Sequence, residues 1–187
     1  MSDHHANLFA GFGRRRRLRD QICAERDRLY RIAWSWCHDS HLADDLVQES
    51  IARALAKLDG LREEGRLQVW LTQILANLYR DHFRRPPPQT GLETDALAAP
   101  DDPEQSANSS QLVVRTRAAI AMLTDDQRQV LTLVDLAEFN YADTAAILGV
   151  PVGTVMSRLS RARRRMREIL EQQGIGHADV IPLRRPK

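Results

Sequence analysis

A chain of 187 residues, 43% of them hydrophobic, is long enough to bury one large core or two small ones. It has no run of roughly eighteen consecutive apolar residues and no apolar leader core near its start, which excludes a helical membrane span and leads us to expect a cytoplasmic protein. The net charge of +2 is unevenly placed, with nine Arg/Lys against three Asp/Glu in residues 156–187 and five acids without a base in residues 86–110. A cationic end of that kind is suited to a nucleic-acid partner.

In chain order, residues 1–17 read as a tail. The first thirteen lack apolar periodicity, and residues 14–17 are four arginines, either a solvated helix start or a weak nucleic-acid contact. From Leu18 the pattern is helical, with Ile22, Leu29, Ile32, Ala33 and Trp36 on one face and a break at residues 38–41. Cys23 and Cys37 are too few for a disulfide framework. Cys37, His38 and His41 are close in sequence, but a zinc ion needs four placed ligands and no second cluster accompanies them. No metal or other cofactor is expected, although a sensing role for these four residues stays open.

A further helix runs from residues 40–44 to about 58, with Leu46, Val47, Ile51, Ala54, Leu55 and Leu58 inward. Asp44, Asp45, Gln48 and Glu49 lie largely outside that stripe. They complement the positive end of the helix dipole or form a docking surface for a basic partner, and periodicity does not choose between the two. Residues 59–65, DGLREEG, are a loop. Residues 67–84 then form a helix with Val69, Trp70, Leu71, Ile74, Leu75, Leu78 and Phe83 inward, and with Gln73, Asn77, Arg80, Asp81 and Arg84 outward. The outer set can hold nucleic acid or be an ordinary solvated face.

Three prolines at residues 86–88 end that helix, and residues 86–110 have the composition of a flexible acidic linker. They separate a domain at 18–85 from a second at 111–173, with a tail at 174–187. The second domain opens with a helix at residues 110–123 whose apolar positions are Leu112, Val113, Ala119, Ile120 and Leu123. Thr124-Asp125-Asp126-Gln127 is a capping box that starts a helix carrying Val130, Leu131 and Val134. With no strand signal, the fold class is all-α: two small helical domains, the C-terminal one a helix-turn-helix.

That motif is residues 141–167, YADTAAILGVPVGTVMSRLSRARRRMR. Ala145 and Leu148 give its first helix an apolar face, Gly149 permits a sharp turn, and Pro151 suits the first turn of the next helix. Val152, Val155, Leu159, Ala162 and Met166 make one buried stripe. Ser157, Arg158, Ser160, Arg161, Arg163, Arg164, Arg165 and Arg167 occupy the other faces, as in a helix that enters a DNA major groove.

Two separate stretches then resemble one family. LADDLVQESIARALAKLD followed by WLTQILANLYRDHFRR is similar to the core-binding region of bacterial RNA polymerase sigma factors of the extracytoplasmic-function (ECF) group, and residues 141–167 resemble that group's C-terminal promoter reader. The resemblance implies that Asp44, Asp45, Leu46, Gln48 and Glu49 dock on the clamp helices of the polymerase's largest subunit. It implies that Asn77, Arg80 and Arg84 meet the minus-ten promoter element, with Arg62 and Arg66 in a loop that captures a flipped base. It gives the minus-thirty-five element to Thr154, Met156, Ser157, Arg158, Ser160, Arg161 and Arg164. It also implies an anti-sigma partner. The chain departs from the family at Leu61 and Leu67, where aromatics are common, at Met156, where Lys or Arg is common, at Thr144, usually aliphatic, and at Thr124, often proline.

The expected function is therefore an alternative sigma factor that binds core RNA polymerase and directs it to double- and single-stranded promoter DNA, without catalysing a reaction itself. The alternative is a free-standing helix-turn-helix regulator, which gives the acidic helix and long linker no task.

Overall fold

The computed structural model describes residues 3–61, 63–84 and 107–174, with side chains at 13–58, 60–61, 63–84 and 113–174. It is helical throughout: α1 Asp3–Ala24, α2 Arg26–Cys37, α3 Ser40–Ala56, α4 Leu67–Arg84, α5 Ala107–Ala121, α6 Asp125–Leu131, α7 Tyr141–Leu148 and α8 Val152–Gln172. Two 3-10 turns, Leu58–Gly60 and Glu64–Arg66, join α3 to α4, and a π-helical stretch, Thr132–Leu136, continues α6. Among the described residues there is no strand.

In the N-terminal half, α1 begins at Asp3, so the expected tail is helical over most of its length. An apolar stripe is not what sustains a helix there, which is why a reading based on periodicity passes over it. The chain bends at Glu25, whose N–H is shared between Gln21 O and Ile22 O, and α2 follows at once. His38 ends α2 in the left-handed region at φ 54° while donating its N–H to Trp34 O at 2.8 Å. Asp39 then caps α3, its carboxylate accepting the Leu42 N–H at 3.0 Å. Leu18, Ile22, Leu29, Ile32, Trp36, Val47, Leu71 and Leu75 form the core between α1, α2, α3 and α4. Each such side chain contributes about 1.5–3 kcal/mol by leaving water.

The burial of α4 differs from the expected pattern. Phe83 is 59% exposed, and Val69, Trp70 and Ile74 are half-buried at the edge of the core. Thr72, Ala76 and Tyr79 are buried instead. Thr72 is tolerated inside because its hydroxyl donates back to Gln68 O at 2.8 Å, and Ser50 on α3 does the same to Leu46 O at 2.7 Å.

In the C-terminal half, Thr124 and Gln127 make the expected capping box at the start of α6. Val130, Leu131, Leu133 and Val134 then pack against Val155, Leu159, Ala162 and Ile169 of α8. Two positions expected inside lie out: Val113 and Val152 are each 42% exposed, both in the first turns of their helices' described faces, where packing is incomplete. Helix α5 begins at Ala107, inside the stretch assigned to the linker. Residues 85–106 and 175–187, and the side chain of Leu112, lie outside the described residues.

The two halves pack directly on one another. Helix α4 lies against α7, and α2 lies against α5, α6 and the π-helical stretch. Ser35 and Thr132 share a buried hydroxyl–hydroxyl bond of 2.8 Å, and the Tyr79 hydroxyl donates to Asp125 Oδ1 at 2.6 Å. Arg28 donates to Ala137 O at 2.6 Å while its guanidinium lies 4.7 Å from the centre of the Phe139 ring.

Thr144 on α7 is fully buried, and its hydroxyl has no hydrogen-bond partner. Desolvating a hydroxyl without a partner costs about 1–3 kcal/mol, and valine keeps the shape without that cost. Thr144→Val should therefore stabilise the chain by about 1 kcal/mol in urea denaturation. A loss of stability would show that the hydroxyl is bonded in solution.

Candidate nucleic-acid interface

Helix α8 is built on one turn. Asn140 caps α7 by accepting the Asp143 N–H at 2.8 Å, and Gly149 ends it at φ 67°. Pro151, at φ −61° and ψ 148°, is the N-cap of α8 rather than its first residue. Val155, Leu159, Ala162, Met166, Ile169 and Leu170 are buried, which turns Ser157, Ser160, Arg161, Arg164 and Arg167 outward along one stripe. Arg161 Nε donates to Ser157 O at 3.2 Å and Ser157 Oγ to Thr154 O at 3.1 Å, so both lie back along their own helix. Met156, 54% exposed, flanks this stripe.

Not every arginine on α8 faces outward freely. Arg163 forms a two-pronged pair with Asp135 at 3.0 and 2.5 Å, and the Asp135 side chain is only 1% exposed. The hydrogen bond to this carboxylate raises the Arg163 pKa above its usual value. This arginine fastens α8 to the π-helical stretch and is unavailable to DNA. Arg158 reaches Asp126 at 2.6 Å and is 24% exposed, so a minus-thirty-five role for it requires that pair to open. Nothing in the periodicity separates these two arginines from Arg161 and Arg164; the acids that hold them are 28 and 32 residues away, at Asp135 and Asp126.

On α4, Gln73, Asn77, Arg80 and Arg84 are exposed along one stripe. Arg80 Nη2 bonds Asn77 Oδ1, Arg80 Nη1 reaches Leu148 O at 3.3 Å, and Gln73 Nε2 reaches Ala146 O at 3.2 Å. Arg66 pairs with Asp143 at 2.9 Å, and Arg84 with Asp81 at 3.5 Å. Four of the five candidate minus-ten residues are thus placed on or beside α4, and two of them touch α7. Arg62 lies outside the described residues. Leu61 and Leu67 are buried and anchor the loop that leads to α4.

The face of α3 carries Asp45, Gln48 and Glu49, all exposed, with Asp44 half-exposed beside them. Asp44 pairs with Arg26 at 2.8 Å and Glu49 with Arg53 one turn on at 2.7 Å. Leu46 is 6% exposed and belongs to the core, so it supports this surface from below and is not part of it.

The Cys37–His41 stretch is a helix junction. The Cys37 thiol donates to Asp39 O at 3.2 Å, and burial raises its pKa. His38 stands edge-on to Trp34 at 5.4 Å, and burial, with the nearby Arg128 charge, lowers its pKa. His41 and Cys23 are exposed. Among the described residues no three such side chains gather where a metal ion could be held.

A basic reading helix on a glycine turn, a polar helix face in the other half and an acidic helix beside it define a DNA-binding transcription factor with a protein-docking surface. The chain matches the family models for sigma-70 region 2 over residues 22–86 and sigma-70 region 4 over residues 114–166. It is 38% identical over 158 residues to the ECF RNA polymerase sigma factor EcfG of Rhodopseudomonas palustris, covering 84% of this chain and 87% of that one. It is 34% identical over 160 residues to the ECF RNA polymerase sigma factor SigC of Mycobacterium tuberculosis, covering 83% and 84%. The sigma factor RpoE of Bartonella quintana, solved with the anti-sigma factor NepR, has a TM-score of 0.68 and 29% identity, covering 81% of this chain and 95% of that one. CnrH, solved with the cytosolic domain of CnrY, shares the fold at a TM-score of 0.62 and 22% identity, covering 92% and 99%. The chain belongs to the ECF sigma factors of RNA polymerase, which are transcription initiation factors, and the free-standing regulator is not favoured.

The two kinds of arginine on α8 separate experimentally. Arg163→Ala leaves the buried Asp135 carboxylate without its partner and should cost about 3 kcal/mol in urea denaturation. Arg164→Ala should change stability by no more than about 0.5 kcal/mol. Similar losses for both would contradict the division.

Proposed function

We propose that the N-terminal domain, residues 18–85, docks on core RNA polymerase and holds the minus-ten element, and that residues 111–173 read the minus-thirty-five element. The observation that carries this division is that the acidic face of α3, the polar face of α4 and the cationic face of α8 are three separate surfaces, each backed by core residues. Asp45, Gln48 and Glu49 offer carboxylates and an amide to the clamp helices of the largest polymerase subunit, with Asp44 released from Arg26 on docking. Asn77, Arg80 and Arg84, with Arg62 and Arg66 from the loop, meet the minus-ten strand. Ser157, Ser160, Arg161 and Arg164 lie along the major groove, flanked by Thr154, Met156 and Arg158. No bond is made or broken by this chain; the polymerase supplies the nucleotide chemistry.

An anti-sigma protein is the proposed regulator, as in the solved RpoE complex. A groove of about 920 Å³ between α2, α5 and the π-helical stretch supports such a partner. Trp34, Val113 and Leu136 line it with apolar surface, and Arg28, Arg31 and Arg117 supply positive charge. Its occupant would be a helix with an apolar stripe and acidic flanks. The setting is the cytoplasm, in keeping with the absence, among the described residues, of a helix able to cross a membrane.

The test is run-off transcription by sigma-free core polymerase mixed with this chain, on templates with randomised upstream sequence. Specific transcripts are expected, and the enriched templates supply both promoter elements. No transcripts and no polymerase binding would overturn the reading. Asp45→Arg with Gln48→Ala should weaken polymerase binding while residues 111–173 still bind the selected upstream element. Arg161→Ala should do the reverse, and upstream binding should fall steeply with salt as counterions are released. Indifference of upstream binding to Arg161→Ala at every salt concentration would remove the α8 assignment.

A further inference from the structure

Helix α7 is short, and its last turn offers more carbonyls than the backbone satisfies. The N–H groups of Gly149 and Val150 both go to Ala145 O, the second at 3.1 Å. The next carbonyls are met from the other domain: Ala146 O by Gln73 Nε2 at 3.2 Å and Leu148 O by Arg80 Nη1 at 3.3 Å. A guanidinium there also faces the negative end of the helix dipole. The bare Gly149 turn lets Arg80 come close, since a Cβ at that residue would stand only 3.8 Å from Nη1. At the opposite end of α7, Asp143, tied to the N-cap Asn140 at 2.8 Å, holds Arg66 at 2.9 Å. Both ends of one helix of the C-terminal domain are thus gripped by one face of the N-terminal domain.

We propose that this packing is an autoinhibitory latch, in which α7 occupies the minus-ten-binding face of α4 and must be displaced before promoter DNA can be held. The proposal rests on the assignment of that face to minus-ten DNA. Arg80 and Arg66 are the exchanged groups. In the closed chain their positive charge is spent on two backbone or carboxylate acceptors of α7; in the open chain it is free for phosphates. The two states exclude each other for a second reason: a DNA strand on α4 would meet α7 along the same stripe, with the Asp143 carboxylate repelling its phosphates. The Tyr79–Asp125 and Ser35–Thr132 bonds and the Arg28 cap on Ala137 O hold the domains in register while the latch is shut.

The test joins the two faces reversibly. In a Cys23→Ser, Cys37→Ser background, Gln73→Cys and Ala146→Cys are linked by a bismaleimide that contains a reducible disulfide. Transcription with core polymerase, from the promoter selected in the experiment above, should fall at least tenfold on linking and return on reduction. Full transcription by the linked chain would overturn the latch while leaving the sigma reading intact, because the reduced chain reports on that reading separately. As a second measurement, Asp143→Ala removes the Arg66 partner while Asn140 still caps α7. The free chain should then bind the minus-ten strand of the selected promoter roughly threefold more tightly, the scale of one exposed ion pair. Unchanged or weaker binding would overturn the proposal.

Discussion

One backbone turn at Gly149 fixes both what α8 presents and what α4 touches. At φ 67° the residue sits where an L side chain is disfavoured by about 1 kcal/mol, so glycine lets α7 stop within eight residues. Pro151, fixed in φ, starts α8 two residues later at a set angle. That angle drives Val155, Leu159 and Ala162 into the core and leaves Arg161 and Arg164 outside. The same stop leaves the Ala146 and Leu148 carbonyls facing α4, where Gln73 and Arg80 meet them.

Charge in this chain is sorted by what lies under it. Arg163 is held by an Asp135 side chain that is 1% exposed, and its removal strands a carboxylate in the interior. Arg66 and Arg80 are held at the rim of the domain interface by acceptors that water or phosphate can replace at little cost. Arg161 and Arg164 make no ion pair among the described residues and are available at once. Fastening, switching and reading are therefore divided among arginines that look alike in sequence.

The helices and their order are legible from apolar spacing, and so are the capping box at Thr124, the glycine turn and the exposed stripe of α8. Local chemistry decides each of these within a few residues. Phe83 and Val152 fail the same test because a helix end lacks the neighbours needed to cover a correctly phased side chain. Thr72, Ser50 and Tyr79 are missed because their polar atoms find partners that no pattern announces. Leu46 is read as part of a surface although it supports that surface from the core. The contact between the domains could not be read at all, since it joins Arg66 to Asp143 and Ser35 to Thr132 across 77 and 97 residues.

The account's central claim is that one chain carries separate polymerase and promoter surfaces and keeps part of the latter closed until it meets the polymerase. Spin labels at Ala56→Cys on α3 and Gln172→Cys on α8, in the Cys23→Ser, Cys37→Ser background, report the separation of the domains by pulsed dipolar spectroscopy. A single short distance for the free chain, replaced by a longer one when core RNA polymerase is added, is the predicted result. The same distance in both states, with polymerase bound, would contradict it.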